Sequence, residues 1–198
     1  MTNQIQNPKL KIAVLGSTRG TDMQAIIDAI KNGDLEASVE VVISNKPDAY
    51  ILERAKNHGL DTIFIDSAGK TREQFDFEVM EMLDKKKIDL VLLIGYMRFI
   101  SKSFVDKWRG KVMNVHPSLL PAFAGGMDKN VHQAVLDAGV KETGCTVHFV
   151  DEGADTGEII VQKKCTVDPG ETVETLKAKV QKLEGEALVE AVQKFHVT

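Results

Sequence analysis

At 198 residues, with 43% hydrophobic and 27% charged side chains, the chain has the composition of an ordinary globular protein and the length of one domain. A net charge of -4 excludes an electrostatic nucleic-acid binder, and no apolar run is long enough to span a membrane. The opening MTNQIQNPK lacks the charged-then-apolar pattern of a signal peptide, and Cys145 and Cys165 lack CxxC spacing and clustered His, which argues against a disulfide framework and a metal site.

Residues 1–10 read as a polar tail, and the expected setting is the reducing cytoplasm. KIAVLGS at 11–17 is a short apolar run closed by a turn, which predicts a buried parallel strand. Met23, Ile26, Ile27 and Ile30 then recur at helical spacing up to the stop signal Asn32-Gly33. VEVVISN at 39–45 predicts the second strand, and residues 49–58 a helix ending at Gly59. DTIFID at 61–66 is a third strand, followed by a helix over 72–86. DLVLLIGY at 89–96 is a fourth, with a short helix over 103–108, and KVMNVH at 111–116 is a fifth. Beyond Asn130 a helix runs to Gly139. GCTVHFVDEG and GEIIVQKKC then predict two strands joined by a turn at 154–157, and residues 172–195 a closing helix. The expected fold is one α/β domain over 1–198, a Rossmann-like, mainly parallel sheet with helices on both faces and an antiparallel C-terminal edge.

Within VMNVHPSLLPAF at 112–123, Asn114 and His116 share one face of a strand that stops at Pro117. That is either a satisfied polar pair at a sheet edge or a catalytic pair at the strand's mouth. The first βα turn, GSTRGTDMQAII, exposes helix N-terminal amides that can bind a phosphate, with Thr21 or Asp22 alternatively an ordinary N-cap. The dinucleotide fingerprint GxGxxG is absent, so NAD is not supported. GYMRF at 95–99 sets Met97, Arg98 and Phe99 where a flat apolar ligand could dock, or else lays Arg98 over a core Met and Phe. The loop HPSLLPAFAGG carries Leu-Leu and Phe, so it either packs down as a lid or walls an apolar cleft. In HFVDEGADTG, Asp151 and Glu152 read as solvated. Asp155 could point inward as a base or as an orienter of His116, and the residues alone rank it no higher than Asp151.

NVHPSLLPAF, with an acid 39 residues after His116 in HFVDEGADTG, resembles the formyltransferases that use 10-formyltetrahydrofolate. KIAVLGS, GTDMQAII, VVISNKPDA and GYMRFIS extend the resemblance from about Lys11 to the terminal helix. They narrow it to the members that formylate glycinamide ribonucleotide in purine synthesis. The resemblance implies Asn114, His116 and Asp155 as a catalytic trio, Gly20, Thr21 and Asp22 around the substrate phosphate, and Gln181 and Glu184 against the ribonucleotide. It implies a folate pocket of Leu93, Arg98, Phe99, Ile100, Val105 and Asn114. It further implies 10-formyltetrahydrofolate as co-substrate, no metal, no nucleic-acid or membrane partner, and a monomer or homodimer. Three stretches depart from the family pattern. TRGTD replaces GNGSN, FAGGMDKN replaces a shorter FPG so that Met127 and Asp128 lack a counterpart, and Gly185 replaces a His that commonly follows the helix Glu.

The residue chemistry agrees on independent grounds. Formyl transfer to an amine passes through a tetrahedral oxyanion, which needs preorganised donors such as Asn114 and His116. Asp155 can take the ammonium proton directly or through one water, and is expected to raise the imidazole pKa of His116 and fix its orientation. One rival is a formyltetrahydrofolate hydrolase, which uses the same trio on water and usually carries an N-terminal regulatory domain where about ten residues precede the first strand here. Methionyl-tRNA formyltransferase adds a C-terminal domain and a basic RNA face. A non-catalytic mononucleotide-binding module would gain nothing from the trio together.

Overall fold

Alternating burial along the first strand sets the architecture. In β1 (Leu10–Leu15), Ile12 and Val14 face one side of the sheet while Ala13 and Leu15 face the other, and all are at most 1% exposed. A strand buried on both faces needs helices above and below it. The computed structural model describes residues 9–126 and 128–197, so nearly all of the expected polar tail, together with Met127 and Thr198, lies outside the described residues.

From β1 the chain alternates α1 (Thr21–Asn32), β2 (Ala37–Ser44), α2 (Tyr50–Asn57), β3 (Thr62–Phe64), α3 (Arg72–Lys85), β4 (Leu90–Leu93), α4 (Lys102–Lys107) and β5 (Val112–His116). It continues through α5 (Asp128–Asp137), β6 (Glu142–Phe149), β7 (Ile159–Thr166) and α6 (Val173–Val197). The strands form one sheet in the order β3-β2-β1-β4-β5-β6-β7, parallel through β5 and antiparallel at β6 and β7. The expected mixed α/β fold is therefore the observed one. On one face Ile12, Val14, Leu90, Leu92 and Met113 pack under α1, α2, α5 and α6. On the other, Ala13, Leu15, Val91, Leu93 and Val112 pack under α3 and α4 through Phe75, Leu83, Phe104 and Trp108.

Two of the boundaries that differ from the sequence reading shape the cleft. β4 ends at Leu93, short of 96, because Gly95 turns into the left-handed region and its carbonyl accepts from Ser17 N at 3.1 Å. The β6–β7 connection is a loop over 150–158, longer than the expected turn at 154–157. The loop is closed at its base by Phe149 N donating to Glu158 O (2.9 Å) and folded internally by Asp151, whose Oδ1 accepts from Gly153 N and Thr156 Oγ1.

The long α6 crosses α1 at a close approach that depends on Gly185. A Cβ there would stand 2.9 Å from Ala25 Cβ, inside any real carbon contact. A larger side chain has no room while the two helices stay at this distance. Gly185→His should overpack that crossing and lower stability by roughly 1–3 kcal/mol. Urea denaturation checks it, and an unchanged midpoint would mean that α6 yields freely.

Candidate active site

The cleft opens where the sheet changes direction. β1 and β4 are neighbours, yet α1 covers one face and the helix after β4 the other, so the loops that follow these strands part. Open α/β sheets bind ligands at such a switch point. The cleft holds about 940 Å³, and residues after β1, β4 and β5, on the 150–158 loop and on α6 line it.

One wall is the loop after β1. Gly20 sits at φ 64°, and a Cβ there would lie 2.4 Å from Ile51 Cγ1, so only glycine fits ahead of α1. Gly20 itself is the N-cap and no side chain caps the helix, which removes the alternative roles of Thr21 and Asp22 as N-caps. From behind, Ile51 N donates to Thr18 O at 3.0 Å and Arg54 Nε to Arg19 O at 3.1 Å. In a trans peptide the N–H points opposite to the C=O, so the amides of Arg19 and Gly20 face away from α2. A left-handed turn followed by an uncapped helix start is a backbone anion site.

The second wall is pinned to the first, because Met97 N donates to Ser17 Oγ (3.0 Å), which itself donates to Asn45 Oδ1 (2.6 Å). Leu93, Arg98, Phe99 and Ile100 line the cleft here. Phe99 is 57% exposed, and Arg98 lies 4.3 Å from the centroid of Phe75, so Phe99 is no core residue beneath an arginine. Thr21, Asp22, Gln181 and Glu184 line the same cleft. Val105 does not. It is buried on α4, a helix capped by Ser101 that turns Phe104 and Val105 into the protein body.

Asn114, His116 and Asp155 meet at the centre. Asp155 Oδ2 is 3.2 Å from His116 Nδ1 and accepts from Gly125 N at 2.8 Å, while its Oδ1 accepts from Asn114 Nδ2 at 3.4 Å. Asp155 holds a left-handed backbone (φ 58°), uncommon outside glycine, and this aims its carboxylate inward. His116 Nε2 lies 3.0 Å from Phe123 O. The SLLPAF segment is thus folded down over the site, further held by Thr146 Oγ1 to Ser118 O (2.7 Å) and Gln162 Nε2 to Leu120 O (2.9 Å).

A fourth member escaped the sequence reading. His148 stands opposite Asn114 in the β5–β6 ladder, its Nε2 3.2 Å from Asn114 Nδ2 and 3.5 Å from Asp155 Oδ1. Its Nδ1 faces the Phe149 carbonyl at 2.8 Å, so Nε2 is the nitrogen turned toward both Asn114 and Asp155. The signal was the strand pattern of GCTVHF, but the register that puts His148 opposite Asn114 is a tertiary fact. Arg72 and Lys177 also line the cleft, and nothing in their helical sequence marks them.

The Formyl transferase family model matches residues 10–192. The chain belongs to the formyl transferase family. It is 40% identical over 175 residues to phosphoribosylglycinamide formyltransferase of Haemophilus influenzae, covering 88% of this chain and 81% of that protein. It is 44% identical over 191 residues to the trifunctional purine biosynthetic protein adenosine-3 of Gallus gallus, covering 96% of this chain and only 19% of that protein. Glycinamide ribonucleotide transformylase 1 of Symbiobacterium toebii superimposes with a TM-score of 0.94 at 39% identity, covering 100% of this chain and 92% of that one.

Electrostatics of the formyl transferase site follow from burial against contacts. Burial pushes the Asp155 carboxyl up, but hydrogen bonds from His148 and Gly125 and the charge of the two imidazoles outweigh it and hold Asp155 below the usual carboxylate range. Burial is also the largest influence on His116 and pushes its imidazole down, with Asp155 and the Phe123 carbonyl opposing it. The carboxylate therefore moderates a depressed imidazole and does not raise it above normal, as its proximity alone had suggested. His116 should titrate below its ordinary ~6.5. In Asp155→Asn it should titrate lower still, because the opposing carboxylate charge is gone. Imidazole proton shifts followed by NMR against pH, with the His116 signal assigned by His116→Gln, check this, and a midpoint above the ordinary value would contradict it.

Proposed function

We propose that this formyl transferase moves the formyl group of 10-formyltetrahydrofolate to the amine of glycinamide ribonucleotide, a step of de novo purine synthesis. The observation that carries the reading is the single cleft in which the Asp155 cluster stands between a backbone anion site and the loop of Arg98 and Phe99. Anionic ribonucleotide and flat folate then approach the trio from the two walls. Close likeness to proteins named for this activity supports the same acceptor.

The chemistry assigns each group a task. The neutral amine attacks the formyl carbon, forming a C–N bond as the carbonyl π pair moves onto oxygen. Asn114 Nδ2 and, once it leaves the Phe123 carbonyl, the Nε2–H of His116 are the donors for that oxyanion. The 3.4 Å contact of Asn114 to Asp155 is long, so the amide can turn from carboxylate to oxyanion at little cost. Asp155 receives the ammonium proton, directly or through water. Collapse breaks the bond to the folate nitrogen, which leaves protonated, releasing tetrahydrofolate and the formamide. His148 holds Asn114 and Asp155 in place from the neighbouring strand.

Closure of SLLPAF over His116 shields the formyl carbon from water, so deformylation should be slow until the amine is bound. Purified protein with 10-formyltetrahydrofolate, followed by the rise of tetrahydrofolate, should accelerate by several orders of magnitude on adding glycinamide ribonucleotide. His116→Ala should lose ~10²–10³ of that rate while remaining folded. Asp155→Asn should suppress the acceleration and keep folate binding. Fast turnover without the amine, indifferent to ribonucleotide, would instead make the protein a hydrolase.

A further inference from the structure

Asp151 lines the cleft beside the reacting groups, and none of the steps of transfer engages it. Its Oδ1 accepts from Gly153 N at 3.0 Å and from Thr156 Oγ1 at 2.7 Å. Those two donors flank Ala154 and Asp155, so one oxygen gathers both ends of the two-residue tip that carries the proton acceptor. A tip drawn together in this way must turn within two residues, and Asp155 makes the turn at φ 58°. That backbone region is disfavoured for a residue with a Cβ, so its neighbours have to hold it there. The fit is close. A Cβ on Gly153 would stand 1.9 Å from Thr156 Oγ1 and 3.0 Å from Thr156 Cβ, so a side chain at 153 would displace the hydroxyl from Asp151.

Two other sets of contacts reach the same loop. Glu152 accepts from Arg109 Nη2 at 2.7 Å with Lys102 at 3.8 Å, but these side chains are exposed, and an exposed ion pair contributes little. Asp155 itself meets Asn114, His116, His148 and the Gly125 amide. Asn114 and His116 turn to the oxyanion during transfer, so Asp155 loses part of that support at the step in which it receives the proton. The bond between Thr156 and Asp151 involves no reacting group and stays whole through that step.

We propose that Asp151 and Thr156 are positioning residues for transfer: their side-chain hydrogen bond holds the 154–155 tip closed and keeps the Asp155 carboxylate aimed at the incoming amine. The inference rests on the reading of Asp155 as the group that receives the ammonium proton. Because the pair acts through Asp155, its effect falls on rate and not on affinity for either substrate.

The test compares Thr156→Val, Thr156→Ser, Asp151→Ala and Asp151→Asn in the whole protein, with Arg109→Gln as a control on the exposed ion pair. Valine keeps the shape of threonine without the hydroxyl, serine keeps the hydroxyl, and asparagine keeps an acceptor oxygen. Thr156→Val and Asp151→Ala should lower kcat about 10- to 100-fold, since a misplacement of about 1 Å can cost ~10² in rate, while KM for ribonucleotide and for folate stays near wild type. Thr156→Ser, Asp151→Asn and Arg109→Gln should keep most of the rate. Asp151→Ala removes the same bond from its other side, so either variant decides the matter alone if its counterpart fails to fold.

A second readout needs no turnover. Burial pulls the His116 imidazole down and the Asp155 carboxylate opposes it. In Thr156→Val the NMR titration midpoint of His116 should therefore fall toward that of Asp155→Asn, and adding Thr156→Val to Asp155→Asn should move it no further. A Thr156→Val protein with the wild-type kcat and midpoint, a loss confined to KM, or serine as slow as valine overturns the proposal. A wild type without ribonucleotide-dependent turnover, in which the midpoint still falls on Thr156→Val, keeps the brace on Asp155 and overturns the transfer reading instead.

Discussion

Everything at the centre of this protein converges on one carboxylate. Asp155 gathers Asn114 and His116 from β5, His148 from β6 and the Gly125 amide from the loop that covers them. A buried charge is tolerated only when it is paired and hydrogen-bonded, and these donors supply that condition. The same contacts keep the carboxyl ionised and fix the two imidazoles. Removing Asp155 would leave buried donors facing nothing, so the residue that handles a proton is also the one that orders its neighbours.

The rest of the fold delivers those groups. β1 and β4 part their helices to opposite faces and open the cleft, and Ser17 ties the two loops together so that the walls cannot drift. Charge on the cleft wall is mixed: Arg19, Arg72, Arg98 and Lys177 stand among Asp22, Asp151, Glu152, Asp155 and Glu184. Local placement, not net charge, governs binding of an anion at this range. Gly185 gives α1 and α6 their close crossing, and Arg19 lines the cleft beside Gly20 and Thr21.

The covering loop shows how a lid is held without a core of its own. Its backbone is anchored from three directions, to Thr146 and Gln162 on the hairpin, to His116 through Phe123, and to Asp155 through Gly125. Leu120 is buried beneath it. Two of those anchors are reacting groups, so lid position and the state of the cluster are coupled by direct contact.

Strand and helix order were legible in the sequence because apolar runs of period two and helical spacing report burial locally, and βαβ alternation leaves few topologies. The trio was legible for a related reason: Asn114 and His116 share a strand face by alternation, and their motif has a family resemblance. Asp155 could not be told from Asp151 by the residues alone. Its inward aim comes from a left-handed backbone and a folded 150–158 loop, neither visible in composition. His148 needed the antiparallel register to stand opposite Asn114, and Val105 was misplaced because helix orientation decides which side of α4 meets the cleft. The depressed His116 likewise depends on how much water the lid removes. A one-dimensional pattern encodes which residues are buried and which elements they build. Which side chains meet across elements depends on packing distances, and those exist only once the chain has folded.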